Sequence, residues 1–150
     1  MANPVCEVSL TESPLSEPPD WRGNETGAVI DFWGVVRATE DGATITGIEY
    51  EAHGAMAEHQ LASVARDAAE RFGLSSISIR HRIGFVAVGE ASLLVRVGTG
   101  HRAEGFAAAK WTVDELKRRV PIWKHPRHQP EGNAADSTTS QGGASLSPAR

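Results

Sequence analysis

The sequence predicts an α+β domain in which two helices pack on a mostly antiparallel sheet. Apolar residues recur at helical spacing after residue 56 and again over residues 103–119, which indicates two amphipathic helices. Before and between them lie segments rich in β-branched residues, several of which alternate apolar with polar side chains. The predicted order is strand, strand, helix, strand, strand, helix, and that order is typical of the α+β class.

The first two strands are predicted on either side of an Asp-Gly turn. Residues 27–36 form a β-branched and aromatic run, and residues 45–50 carry a second apolar set beyond Asp41 and Gly42. Because a turn of this kind usually joins neighbouring strands, we expect the two to pair as an antiparallel hairpin or near-hairpin. Arg37 then lies at the exit of the first strand.

The first helix is expected to run from Met56 to Phe72. Gly73 follows it and supplies a stop signal, since glycine readily adopts the left-handed conformation that ends many helices. Two further strands are predicted over residues 76–83 and after Gly89, where apolar residues recur at every second position.

The second helix is expected over residues 103–119. Pro121 has no backbone N–H and disfavours helical angles at the preceding residue, so the helix should end near Arg119 and continue as extended chain. The helical spacing predicts a buried stripe made of Phe106, Ala109, Val113 and Leu116.

The composition indicates one folded domain with polar ends. A chain of 150 residues with 40% hydrophobic content can bury one real core. Several prolines predict that residues 1–20 form a flexible lead-in with little regular structure. Residues 133–150 carry almost no large apolar side chains, so we expect a disordered polar tail. The domain itself is expected over residues 21–132.

Several classes of protein are disfavoured by charge and cysteine content. A net charge of −4 and a pI near 5.8 argue against nonspecific nucleic-acid binding. The lone cysteine, Cys6, allows neither an internal disulfide nor a multi-thiolate metal site, and this suits a reducing cytoplasm. The six histidines lack metal-site spacing, so we expect no metal. We also expect no membrane span and no export signal.

Two lysines flank the predicted helix break. Lys117 lies on the last helical turn and Lys124 just beyond Pro121, so both ammonium groups can reach one site from different backbone directions. Ile122 and Trp123 can wall that site off from water. A paired-lysine site of this kind suits anion chemistry. The alternative is that these basic residues form only a solvated helix end, which the helix dipole favours.

A second basic pair, His101 and Arg102, lies where a strand gives way to the second helix. Backbone N–H groups, the positive end of the dipole, an imidazole and a guanidinium can converge there on a phosphate or carboxylate. The alternative is that His101 caps the helix while Arg102 is solvated. His81 shares a strand face with Ile77 and Ile79, so we interpret it as a core-edge histidine rather than a ligand.

Five blocks of the sequence, in order, resemble the large, catalytic subunit of molybdopterin synthase. The match extends from residue 27 to residue 131. Any one block is weak, but five in sequence with family-like gaps are specific. The blocks are residues 27–37, residues 48–51 followed by Met56-Ala57, His81-Arg82-Ile83-Gly84, His101-Arg102 with Phe106, and Leu116-Lys117 through Pro121-Ile122-Trp123-Lys124.

The resemblance implies an α/β-hammerhead fold with additional antiparallel sheet and an enzyme of molybdenum cofactor biosynthesis. Such an enzyme converts cyclic pyranopterin monophosphate into molybdopterin by installing two dithiolene sulfurs, without a cofactor of its own. The resemblance also implies a small ubiquitin-like subunit that presents a C-terminal Gly-Gly thiocarboxylate. Two large subunits would form a homodimer at the centre of a heterotetramer.

The resemblance further implies specific site residues. Lys117 and Lys124 are the implied catalytic residues. Our own hypothesis is that both act chiefly as charged clamps and proton donors, with Lys117 the better candidate for transient covalent attachment. The implied substrate-binding residues are Arg37, His101 and Arg102, with Phe32 and Met56 near the pocket. Both the substrate phosphate and the thiocarboxylate are anions, so cationic groups that exclude water fit the implied reaction.

The chain departs from the family pattern after Lys124. Family members commonly continue with a basic residue and a glutamate, whereas this chain has His125 and Pro126, and a tryptophan expected after Glu131-Gly132 is missing. The departure leaves open a noncatalytic module that binds an anionic pterin or a ubiquitin-like protein tail. An unrelated phosphate-binding α+β protein would leave the ordered blocks unexplained.

Overall fold

The computed structural model describes residues 3–18 and 23–128, and the predicted α+β class is confirmed. Residues 133–150, predicted as a tail, lie outside the described residues. The described elements are β1 (Val5–Thr11), β2 (Ala28–Val35), β3 (Thr39–Glu40), β4 (Ala43–Ala52), α1 (Gly54–Phe72), β5 (Ser76–Arg82), β6 (Gly84–Ala87), β7 (Ala91–Thr99), α2 (Arg102–Arg119) and β8 (Ile122–His128).

The strands form two sheets. The first sheet has the order β1-β5-β7-β2, in which β1 is parallel to β5 and the other pairs are antiparallel. The second sheet has the order β3-β4-β6, and β8 also pairs antiparallel with β4. Both helices contact the first sheet and each other, so the main core lies between the helices and that sheet. Its fully buried side chains include Leu61, Val64, Ile77, Ile79, Val95 and Val97.

The boundaries of α2 agree with the sequence, and so does most of its predicted buried stripe: Ala109 and Leu116 are buried, and Val113 packs against the core. The helix ends at Arg119, and the Val120 N–H donates to the Leu116 carbonyl at 3.0 Å before the chain becomes extended. Phe106, predicted as buried, is 61% exposed, so that prediction is wrong. Small residues lie against the sheet instead, because the helix approaches it too closely for larger ones. A Cβ on Gly105 would lie 3.0 Å from Ile30 Cγ1. The buried face consists of Gly105, Ala108, Ala109, Thr112 and Leu116.

The expected pairing of the first two predicted strands is wrong. β2 pairs with β7 in the first sheet, whereas β4 belongs to the second sheet. Asp41 and Gly42 do form a tight turn, with φ of 51° and 82°, but that turn joins the two-residue strand β3 to β4. A two-residue turn pairs only the residues that flank it. At Val36 the chain instead exchanges backbone hydrogen bonds with Gly89 and Glu90.

The lead-in predicted for residues 1–20 contains a strand, so the expectation of little regular structure is wrong for Val5–Thr11. This strand is β1, which pairs in parallel with β5. Val8 and Leu10 pack against the main core, and their burial offsets the cost of ordering the segment. β6 is a second strand that the sequence did not predict. It pairs with the middle of β4.

Candidate active site

A cavity of about 670 Å³ opens where the two sheets meet the C-terminal end of α2. Apolar side chains from β2, β4, α2 and β8 form part of its wall, and ionisable and aromatic groups form the rest. Four predicted site residues, Phe32, Arg37, Lys117 and Lys124, therefore converge on one space. The ionisable and aromatic lining residues are Phe32, Trp33, Arg37, Glu40, Tyr50, His81, Lys117 and Lys124.

Lys117 differs from the other basic residues of its helix. Arg118 and Arg119 pair with Glu115, at 2.6 Å and 3.5 Å, and Lys110 pairs with Asp114 at 2.8 Å. Within residues 3–18 and 23–128, Lys117 makes no ion pair with a carboxylate. Its positive charge is therefore available to an anion that enters the cavity.

Side chains of β8 point alternately to its two faces, and this alternation decides which residues after the helix break reach the cavity. Ile122 and Lys124 line it, because successive side chains of a strand point to opposite faces. Trp123 points away and makes an edge-to-face contact with His53, with ring centroids 5.4 Å apart. The expectation that Trp123 shields the lysines from water is therefore wrong, whereas Ile122 does line the cavity.

A carboxylate that the sequence did not single out lies among the cations. Glu40 Oε2 accepts a hydrogen bond from Lys124 Nζ at 3.2 Å, and Glu40 Oε1 lies 3.9 Å from an Arg37 guanidinium nitrogen. Arg37 is three residues from Glu40, but Lys124 is 84 residues away in the sequence and reaches Glu40 only through folding. No local sequence signal therefore marks Glu40 as a partner of both cations.

His81 also faces the cavity, although the sequence indicated only a core-edge position. Its Nδ1 lies 2.8 Å from the Arg82 carbonyl oxygen, which can only accept, so Nδ1 carries the proton. Its ring contacts Tyr50 edge to face at 5.2 Å. Burial lowers the pKa of His81, and the positive charge of Lys117 acts in the same direction, whereas the bond to the Arg82 carbonyl raises it. His81 is therefore neutral at pH 7.

The similarity of the chain to known proteins identifies its family. Residues 10–119 match the family model described as MoaE protein. The chain belongs to the MoaE family. It is 35% identical over 125 residues to the molybdopterin synthase catalytic subunit of Thermoplasma volcanium, which covers 83% of this chain and 91% of that relative. The solved structure of molybdopterin synthase from Staphylococcus aureus has a TM-score of 0.68 at 33% identity, over 72% of this chain and 79% of that one.

A more distant solved structure shares the fold. It is the protein-protein complex of subunits 1 and 2 of molybdopterin-converting factor from Helicobacter pylori, with a TM-score of 0.58 at 22% identity over 73% of this chain and 80% of that one. Some eukaryotic relatives are longer, and the chain spans 50% to 67% of three from plants and a fungus. Membership in the MoaE family makes the chain a homologue of the enzymes that form molybdopterin.

Three residues implied by the MoaE resemblance do not line the cavity. Met56 lies in the first turn of α1 and is 55% exposed. His101 and Arg102 are exposed at the opposite end of α2 from Lys117. At a rise of 1.5 Å per residue, the positions of Arg102 and Lys117 are separated by about 22 Å along the helix axis. One chain therefore holds two separate basic groups rather than one.

The departure from the MoaE pattern after Lys124 leaves β8 intact. Pro126 lies opposite Ile48 and His125 opposite Glu49 in the ladder with β4, and Lys124 still reaches the cavity. His125 points to the other face, where its Nε2 lies 2.9 Å from Glu51 Oε1. The expected tryptophan position after Glu131-Gly132 lies outside the described residues.

The lone thiol does not contribute to the cavity. Cys6 lies on β1 and is not among the cavity's lining residues. Partial burial raises the pKa of the Cys6 thiol, although the positive charge of Arg66 opposes this effect. The thiol is therefore protonated at neutral pH and poorly suited to carry sulfur.

Among the described residues, no helix has the length and apolar character needed to cross a membrane.

Proposed function

We propose that this chain transfers sulfur to cyclic pyranopterin monophosphate and so forms the dithiolene of molybdopterin. The sulfur comes from the C-terminal Gly-Gly thiocarboxylate of a small ubiquitin-like subunit. The observation that carries the proposal is the convergence of Arg37, Lys117 and Lys124 on one cavity in a chain of the MoaE family. The Helicobacter pylori structure, a complex of two different subunits, supports a protein partner of this kind.

The lining residues suggest a division of roles. The planar guanidinium of Arg37 is suited to the substrate phosphate, because it can donate two parallel hydrogen bonds to one anion. Phe32 and Trp33 offer aromatic surface to the pterin rings. Lys117 and Lys124 position the thiocarboxylate and stabilise the negative charge that develops during transfer, and either ammonium can donate a proton.

Lys117 is the better candidate for a transient covalent attachment to the acyl group. Lys124 is held by Glu40, whereas Lys117 has no carboxylate partner in the described part of the chain. After Nζ loses a proton, it can attack the acyl carbon of a thioester formed between the small subunit and the substrate. The new C–N bond forms as the C–S bond breaks, and the sulfur stays on the substrate. Trapping of the reaction followed by peptide mass spectrometry tests this ranking. An adduct found on Lys124 and never on Lys117 would contradict it.

His101 and Arg102 take part, in our proposal, through a second copy of the chain. They lie about 22 Å along the axis of α2 from Lys117, which is too far for one small substrate to contact both within one chain. A homodimer in which the N-terminal end of one α2 approaches the cavity of the other copy removes this separation. Each pocket then contains Arg37, Lys117 and Lys124 from one copy and His101 and Arg102 from its partner.

Mixed dimers test the shared pocket. Lys117→Ala and Arg102→Ala chains are each expected to be nearly inactive. In a randomly mixed dimer population with two-fold symmetry, half of the dimers are mixed and each has one intact pocket, so activity recovers to roughly a quarter of wild type. If both residues serve the pocket of their own chain, every pocket remains defective and activity does not recover.

Reconstitution tests the reaction itself. The purified chain is mixed with a thiocarboxylated small subunit and cyclic pyranopterin monophosphate, and dithiolene product is assayed. Product formation is expected, with none when the small subunit ends in an ordinary carboxylate. If the chain binds the small subunit and cyclic pyranopterin monophosphate but forms no product, the noncatalytic module would be favoured. Such a module binds a pterin or a protein tail but transfers no sulfur. The intact register of β8 around Pro126 removes the main reason to prefer that module.

We place the reaction in the cytoplasm. The support is compositional, since a chain with a single cysteine needs no oxidising compartment for its fold. Fractionation of cells that express the chain, followed by immunodetection, tests this placement.

A further inference from the structure

Glu40 is a negative group in a cavity that otherwise presents positive ones. Three cationic side chains and this one carboxylate line the same space. Glu40 is the least exposed member of its ion-pair cluster, with 17% of its side chain exposed, against 79% for Arg37 and 46% for Lys124. A carboxylate in this position offers Lys124 and Arg37 the same kind of charged oxygen that a phosphate or thiocarboxylate offers.

The local backbone holds Glu40 in place. It is the second residue of β3 and pairs with Ala43 across the turn formed by Asp41 and Gly42. Both turn residues have positive φ, which defines a tight hairpin and fixes the residue before it. Lys124 reaches Glu40 from β8, on a different part of the chain. The contact thus joins two elements of the second sheet, β3 and β8, within the cavity lining.

We propose that Glu40 is a positioning residue that acts as an internal anion in the resting site. It holds Lys124 and lies beside Arg37 while the cavity is empty, and it gives up these contacts when an anionic substrate binds. The exchange keeps the Lys124 ammonium directed into the cavity and gives preference to ligands that are sufficiently anionic to replace a carboxylate. The role in turnover rests on the sulfur-transfer function proposed above, whereas the competition with anions does not.

Opposite effects on binding and turnover distinguish this role from a structural one. In Glu40→Gln the competing charge is absent, so anions should bind more tightly. Exposed ion pairs contribute up to about 1 kcal/mol, which corresponds to roughly threefold to fivefold tighter binding when the pair need not be broken. In the same variant Lys124 keeps only a neutral acceptor in place of a charged one, so its ammonium is held less firmly and kcat should fall about tenfold while KM also falls.

Inorganic phosphate is the binding probe, with affinity measured by NMR titration of the purified chain. Glu40→Asp keeps the charge but shortens the side chain, so it should lower kcat without tightening phosphate binding. Asp114→Asn is the matched control, because it also removes a carboxylate from a lysine, Lys110, at a position that does not line the cavity. It should change neither quantity. Circular dichroism and thermal unfolding verify that each variant is folded.

The outcomes separate this inference from the proposed reaction. Tighter phosphate binding by Glu40→Gln, but not by Glu40→Asp or Asp114→Asn, supports the internal anion even if no dithiolene product forms in any sample. Unchanged or weaker phosphate binding by a folded Glu40→Gln overturns it, even if the wild-type chain is an active synthase. An undiminished kcat in Glu40→Gln would overturn the positioning role.

Discussion

The two ends of α2 carry similar charges but differ in what surrounds them. At the N-terminal end, His101 and Arg102 are exposed, and neither makes an ion pair within the described part of the chain. At the C-terminal end, Lys117 faces a cavity built from two sheets and the strand that follows the helix. Basic residues at a helix end therefore line a candidate binding site within one chain only where other elements enclose them.

The C-terminal end is also the better anchored of the two. An Arg119 guanidinium nitrogen donates to Asp67 at 3.0 Å and to Ser63 at 3.2 Å, both on α1. These contacts hold the last turn of α2 against the other helix. Because Lys117 lies on the same turn, the anchor also limits the positions available to its side chain. The exposed N-terminal end lacks such contacts among the described residues.

The largest expected effect comes from Lys117→Ala. Removal of a charge that stabilises a developing anion typically costs about a hundredfold or more in kcat, so we expect a loss of that size with a smaller change in KM. Lys110→Ala is the matched control. It removes the same charge from the same helix, seven residues away, where the side chain pairs with Asp114 in solvent. Steady-state kinetics of the reconstituted synthase measure both. Equal losses in the two variants would refute a special role for the C-terminal end.

A smaller effect is expected from loosening the anchor. Arg119→Ala should lower the free energy of unfolding by about 1 kcal/mol, because it leaves Asp67 without its charged partner. Urea denaturation measures this change. Arg118→Ala provides the comparison, since Arg118 is mostly exposed and contacts only Glu115 of its own helix. A stability loss in Arg118→Ala as large as that in Arg119→Ala would show that contact with α1 is not what anchors the turn.

The smallest effect concerns His81, which lies beside Lys117. Burial, the largest influence, lowers the pKa of His81, so the unfolded chain binds a proton at higher pH than the folded chain. The resulting stability is present above the unfolded value of about 6.5 and is lost as the pH falls towards the folded value. His81→Gln should therefore lose less stability than wild type between about pH 7.5 and about pH 5.5.

Urea denaturation at the two pH values tests the His81 prediction. The control is His59→Gln, which replaces an exposed histidine of α1 and should keep the pH dependence of the wild type. An unchanged pH dependence in His81→Gln would mean that His81 is not the group that couples acid to unfolding.

Local patterns predicted the elements well and their partners poorly. The stop at Gly73 and the break at Pro121 are properties of single residues, and both lie where expected. The pairing of β2 depends instead on the path of the chain after Val36, and a local turn sequence does not predict that path. The prediction for Phe106 was wrong because helical spacing allows either Gly105 or Phe106 to begin the stripe that continues through Ala109 and Leu116. The close contact between Gly105 and Ile30 places Gly105 against the sheet instead.

The same distinction applies to the candidate site. The sequence by itself determined the family, the two helices and the positions of Arg37, Lys117 and Lys124. The reason is that the order of motifs and the helical spacing of apolar residues can be observed directly in the sequence. Only the tertiary structure decided that Glu40 and His81 join them within one chain and that His101 and Arg102 of the same chain do not. The physical reason is that ion pairs and cavities depend on distances across elements far apart in sequence, and packing between the sheets and helices sets those distances.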